Sequence, residues 1–123
     1  MGYSIHFDAD TGILTVTQVG AVTFESRRKL LDEILTAIPE EGELKVLSDL
    51  RQAEVSMSSD EAIKYGELIV QGGHLREAKI AMVHPIGKEN NYLTESVVLL
   101  DGDTLRLVTF TSMQEACQWL SES

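Results

Sequence analysis

Six residues narrow the choice of fold more than any others. Lys79-Ile80-Ala81-Met82-Val83-His84 is apolar apart from its two ends, and Pro85 and Gly87 break the chain straight after it. A run of that length suits a strand. Side chains of a strand alternate between its faces, so a run that is apolar at every position predicts cover on both faces. Such strands lie inside sheets flanked by helices. The run from Leu44 to Leu50 has the same character: Leu47, Ala81 and Val83 fall on alternate positions from Val46, Ile80 and Met82. Both faces are apolar, which leaves two solutions: helices on both sides, or one face buried in a homodimer.

The remaining segments fit around these two strands. Tyr3, Ile5 and Phe7 alternate with polar residues, Asp8-Ala9-Asp10-Thr11-Gly12 is turn chemistry, and Ile13 to Val19 is rich in β-branched residues. Together they predict an antiparallel hairpin closed at Gly20. Thr23 caps a first helix, with Leu30, Leu31, Ile34, Leu35 and Ile38 on one face and Pro39 and Gly42 beyond its end. Ser58 and Glu61 have capping-box spacing and open a second helix, whose Ala62, Ile63, Ile69 and Val70 are expected to point inward until Gly72-Gly73 ends it. Tyr92, Leu93, Val97, Leu99 and Leu100 indicate a third helix, followed by a turn at Asp101-Gly102-Asp103 and a strand from Leu105 to Phe110. Ser112 and Glu115 repeat the capping-box spacing ahead of a closing helix with Met113, Ala116, Cys117 and Leu120 inward. The order is ββαβαβαβα. It predicts a single-domain α/β fold over residues 1–123, with a mixed sheet: a leading antiparallel hairpin, then parallel strands.

Charge limits the partners. Ten Lys+Arg against twenty Asp+Glu leave a net −10, a field that repels phosphate backbones and anionic lipid. Nucleic acid and membranes are therefore not expected partners. One cysteine makes no internal disulfide. The first ten residues have neither the basic nor the apolar region of a signal peptide, so the expected compartment is the cytoplasm.

Several short signatures, in order, resemble the SpoIIAA-like family, which shares the STAS fold of anti-sigma-factor antagonists. They are the hairpin ending in Gly20, Lys29-Leu30-Leu31, Lys45-Val46-Leu47-Ser48-Asp49, Lys79-Ile80-Ala81-Met82-Val83, and the closing Phe110-Thr111-Ser112, Glu115-Ala116 and Trp119-Leu120. The family is also similar in topology to CRAL-TRIO lipid-binding domains. The resemblance implies this fold and leaves activity largely unassigned. In antagonist-type members, a strand leads through Asp-Leu-Ser to an Asp-Ser-Ser-Gly helix start, where a phosphorylated serine controls binding to a kinase. Asp49-Leu50 matches the first part. In the second, Met57-Ser58-Ser59-Asp60 keeps the serine pair and replaces both flanking residues.

Candidate sites follow from position and chemistry. Ser58 is a candidate phosphorylation site and equally a helix cap. Asp49, Arg51, Ser58 and His84 are expected near strand ends, where open α/β sheets hold ligands, and form a candidate rim for a partner or ligand. Gly66 inside a helix costs about 1 kcal/mol relative to Ala. With Tyr65, Ile69 and Tyr92 it marks a candidate apolar groove between the second and third helices. His6, Asp8 and Asp10 lack the spacing of a calcium or zinc site. Neither a phosphate-binding glycine loop nor a nucleophile motif is present. No metal, cofactor or catalytic residue is expected. Two functions follow: a non-catalytic regulatory module that binds a protein, or a carrier of a small apolar ligand or lipid.

Overall fold

The computed structural model describes residues 2–37, 44–56, 58–70, 78–85 and 106–122. The predicted third helix, Pro39, Gly42, Met57, Gly72-Gly73 and the Asp101–Asp103 turn lie outside them. The described elements are β1 (Gly2–Asp8), β2 (Ile13–Thr23), α1 (Phe24–Ala37), β3 (Lys45–Ser56), α2 (Ser59–Val70), β4 (Lys79–Val83), β5 (Arg106–Phe110) and α3 (Met113–Ser121). The five strands form one sheet in the order β1-β2-β3-β4-β5. β1 and β2 are antiparallel, and every later pair is parallel.

Local chemistry builds the hairpin. The Asp8 carboxylate accepts the Asp10 N–H at 2.9 Å, and the Asp8 carbonyl accepts the Gly12 N–H at 2.8 Å. Gly12 has φ 72°, which the missing Cβ makes inexpensive. The acidic pair is thus turn chemistry, with Ile5 opposite Val16 and His6 opposite Thr15.

Two boundaries differ from the sequence expectation. β2 runs past Gly20 to Thr23, and β3 runs past Leu50 to Ser56. The two extensions pair with each other, from Val19–Gln52 to Thr23–Ser56. The ladder satisfies their backbone groups, so the strand continues through polar Arg51, Gln52, Glu54 and Ser56. The register shifts between Thr17 and Val19, so one residue of β2 faces two of β3.

Helices cover both faces. On the first, Leu30, Leu31 and Ile34 of α1 and Tyr65 of α2 pack with Leu14, Val16, Val46, Leu50, Ile80, Met82 and Leu107. On the second, Ala116 and Leu120 of α3 pack on Ile13, Leu47, Ala81 and Val83. All five residues of β4 are buried, so double cover accounts for a run that is apolar on both faces from Ile80 to Val83.

Reciprocal hydrogen bonds cap two helices. The Thr23 hydroxyl accepts the Ser26 N–H at 3.2 Å, while the Ser26 hydroxyl accepts the Thr23 N–H at 2.9 Å. The Ser58 hydroxyl accepts the Glu61 N–H at 3.1 Å, while the Glu61 carboxylate accepts the Ser58 N–H at 3.0 Å. At α3 the Ser112 hydroxyl accepts the Glu115 N–H at 3.3 Å. The inward face of α2 corrects one expectation. Ile63 is 43 % exposed, whereas Tyr65 is buried and Leu68 packs on the first core. Two residues along a helix is a turn of about 200°, so seating Tyr65 directs Ile63 to water.

At the far end of α3, the ammonium of Lys79 donates to the carbonyl of Trp119 and to that of Glu122 at 2.9 Å. It also lies 4.4 Å from the centroid of the Trp119 ring. A cation at the C-terminal end of a helix meets its last carbonyls and the negative end of the dipole, and here it shares the Trp119 carbonyl with the Glu122 N–H at 3.2 Å. The start of β4 is thereby tied to the end of α3.

Candidate functional site

Two polar arrangements stand out, one on each face of the sheet. The first is Asp49 with Arg51. The guanidinium donates through Nε to Oδ1 and through Nη2 to Oδ2, both at 3.0 Å, and the Arg51 backbone N–H reaches Oδ1 at 3.1 Å. A planar fork on a carboxylate fixes direction as well as charge. The Asp49 residue is 8 % exposed, whereas the Arg51 side chain is 46 % exposed.

The hydrogen bond from Arg51 pulls the Asp49 carboxyl below the usual carboxylate range, outweighing burial, which acts the other way. A carboxyl with a depressed folded pKa stabilises the fold above its unfolded value, about 3.9, and that contribution is lost as pH falls through the folded value. Asp49→Asn should therefore lose less Tm than the native chain on acidification from pH 5 to pH 2. Parallel Tm–pH profiles for the two proteins would remove this assignment.

The candidate rim divides in two. Asp49 lies mid-strand in β3, opposite Val83 of β4, so it is level with the end of β4 and with His84 just beyond. His84 is buried, and its backbone N–H donates to the Phe110 carbonyl at 2.8 Å. Asp49, Arg51 and His84 thus share one end of the parallel sheet. Ser58 does not join them. Its hydroxyl and N–H are engaged with Glu61, and β3 continues five residues beyond Arg51 to Ser56, about 16 Å of strand at ~3.3 Å per residue.

The second arrangement was not anticipated. Arg27, in the first turn of α1, is only 3 % exposed, and its Nε has no hydrogen-bond acceptor among the described residues. Among the described residues no carboxylate pairs with it; the recorded ion pair is Asp49–Arg51. Its guanidinium carbon lies 5.1 Å from the centroid of the buried Tyr65 ring. A stacked aromatic returns up to about 2 kcal/mol to a desolvated cation. Burial of an ion costs several kcal/mol, so the stacking offsets only part of that cost. Burial pushes the Arg27 guanidinium down and the Tyr65 phenol up, each opposed by the other. A guanidinium remains charged near neutral pH even so.

Arg27 lines a cavity of about 50 Å³ between the first face of the sheet and α1 and α2. Buried Gln18 and half-buried Ser48 also line it, and Val16, Leu30 and Met82 are among its apolar walls. The periodicity of α1 held the signal: positions 27, 30, 31 and 34 lie on one stripe, and an arginine on an apolar stripe is a buried charge. Of the candidate groove, Tyr65 and Gly66 are buried, and Tyr65 faces this cavity. The Ile69 side chain and Tyr92 lie outside the described residues.

Among the described residues, no cluster of three or more His, Cys, Asp or Glu is arranged to hold a metal ion, and no helix is long and apolar enough to cross a membrane.

No protein-family model and no curated protein sequence matches the chain. Solved structures do. A protein from Shewanella loihica PV-4, described as uncharacterised, of the DUF3478 family and with a SpoIIAA-like fold, superposes with TM-score 0.62 at 20 % identity, covering 97 % of this chain and 94 % of that one. The anti-sigma factor antagonist SpoIIAA, in its unphosphorylated form, superposes with TM-score 0.58 at 9 % identity, covering 99 % of this chain and 100 % of that one. The chain therefore has the SpoIIAA-like fold, and the resemblance read from the sequence holds at the level of fold.

Proposed function

We propose that the chain is a non-catalytic regulatory module that docks on a protein partner in the cytoplasm. The observation that carries this reading is the full-length likeness in fold to an anti-sigma factor antagonist. The Asp49–Arg51 pair supports it: an arginine pre-oriented on a mostly buried carboxylate, with nearly half its side chain in water. Exposed arginines held in that way suit an anchor at an interface. Ser58 is assigned to capping. A phosphate there would displace the Glu61 N–H and lie beside two carboxylates, Asp60 and Glu61. A second copy of the chain is the alternative partner, and sedimentation distinguishes it.

A carrier of lipid or another apolar ligand would need a cavity of several hundred Å³. The cavity beside Arg27 holds about 50 Å³, so this reading takes second place.

The test is affinity capture from the native host with the native chain and with Arg51→Glu. One recurrent partner is expected, its recovery falling about tenfold on charge reversal, as loss of an interfacial charged anchor predicts. Equal recovery with both baits removes the Asp49–Arg51 rim. A native bait that retains no recurrent partner across growth conditions removes the docking reading.

A further inference from the structure

We infer that the cavity beneath α1 and α2 is a binding site for a small aliphatic monocarboxylate, held by Arg27. The inference is independent of the docking reading and rests on the opposite face of the sheet.

Arg27 is the first observation. It is almost wholly buried, and among the described residues its Nε lacks an acceptor and no carboxylate pairs with it. Buried charges in folded proteins are paired or hydrogen-bonded. A guanidinium turned towards a cavity with no counter-charge among the described residues is therefore half of an ion pair. The flat fork of that group matches a carboxylate, two N–H groups to two oxygens.

The walls define the rest of the ligand. Gln18 and Ser48 place further polar groups on the cavity, and Leu31, Ile34 and Ile80 are among its aliphatic walls. A dianion such as phosphate would leave most of its acceptors facing hydrocarbon. One carboxylate with a short alkyl tail meets both kinds of wall. A cavity needs roughly 10–15 Å³ for each water it holds. By that measure about 50 Å³ accommodates a carboxylate and a few carbons. The same head group ends a long-chain fatty acid, which the volume disfavours. The N-terminal turn of α1 adds a field of the right sign for an anion beside Arg27.

The test uses the whole chain in low-chloride buffer. Acetate, butyrate and decanoate are titrated, with butyramide as the neutral counterpart of butyrate, and Tm and the Arg27 Nε–H resonance are followed. Butyrate is expected to raise Tm and shift that resonance with a roughly millimolar Kd, since so few atoms make contact. Butyramide should bind at least about tenfold more weakly, because it carries no charge for the guanidinium. Arg27→Met should lose the response to butyrate and melt no lower than the native chain. Tighter binding of decanoate than of butyrate would assign the site to fatty acids and overturn the small-acid inference. So would equal responses to butyrate and butyramide, a butyrate response retained by Arg27→Met, or no response to any carboxylate up to about 100 mM, where even weak binding shifts Tm. If Arg27→Met does not fold, the acid–amide comparison on the native chain decides alone.

Discussion

Leu120→Ala is expected to lower the unfolding free energy by about 3 kcal/mol, in the range for a fully buried leucine cut to alanine. Leu120 is 0 % exposed and, with Ala116, forms the contact of α3 with Ile13, Leu47, Ala81 and Val83. α3 has nine residues. A helix that short does not persist in water by itself, so packing holds it in place. Removing the leucine leaves a void and loosens the cover over the second face of β4. Urea denaturation measures the loss, and near-UV circular dichroism reports Trp119, which sits beside Phe110 with ring centroids 5.8 Å apart. A loss below about 1 kcal/mol would show that the second face does not depend on this helix.

Lys79→Met should cost about 2 kcal/mol, the scale of hydrogen bonds made by a charged group. Methionine keeps the apolar stem and most of the volume, so the difference isolates the ammonium. Replacing a buried ion by a hydrocarbon is often neutral when its partners are replaced as well. Here the partners are the Trp119 and Glu122 carbonyls, which stay behind at the end of α3. The variant also loses the cation 4.4 Å from the Trp119 ring. A Trp119 fluorescence shift should accompany the loss. The Trp119 carbonyl keeps the Glu122 N–H at 3.2 Å, so the loss falls mainly on the Glu122 carbonyl and the ring contact, and a variant as stable as the native chain would show that Lys79 does not hold the end of α3.

Features that depend on neighbouring residues were legible in the sequence. The Asp8–Gly12 turn and the Ser58–Glu61 and Ser112–Glu115 caps follow from side chains a few positions apart, and the apolar run of β4 limited its cover to helices on both faces or a second copy of the chain, of which the structure shows the helices. The order of the described strands and helices followed from the same signals, and with it the SpoIIAA-like fold. Other features required a partner segment. Nothing within Arg51–Ser56 marks a strand; β2 makes it one by offering its free edge. Ile63 and Tyr65 are both apolar enough to be buried, and packing against α1 and the sheet chose Tyr65.

The same division applies to the sites. The sequence by itself determined which residues have chemistry to offer: Asp49, Arg51, Ser58, His84 and Tyr65. Only the tertiary structure decided their company, setting Asp49 and Arg51 level with His84, keeping Ser58 apart from them and enclosing Arg27 with Tyr65. The reason is one of range. Turns and caps are settled by hydrogen bonds between near neighbours, whereas burial of a charge depends on every segment that closes over it.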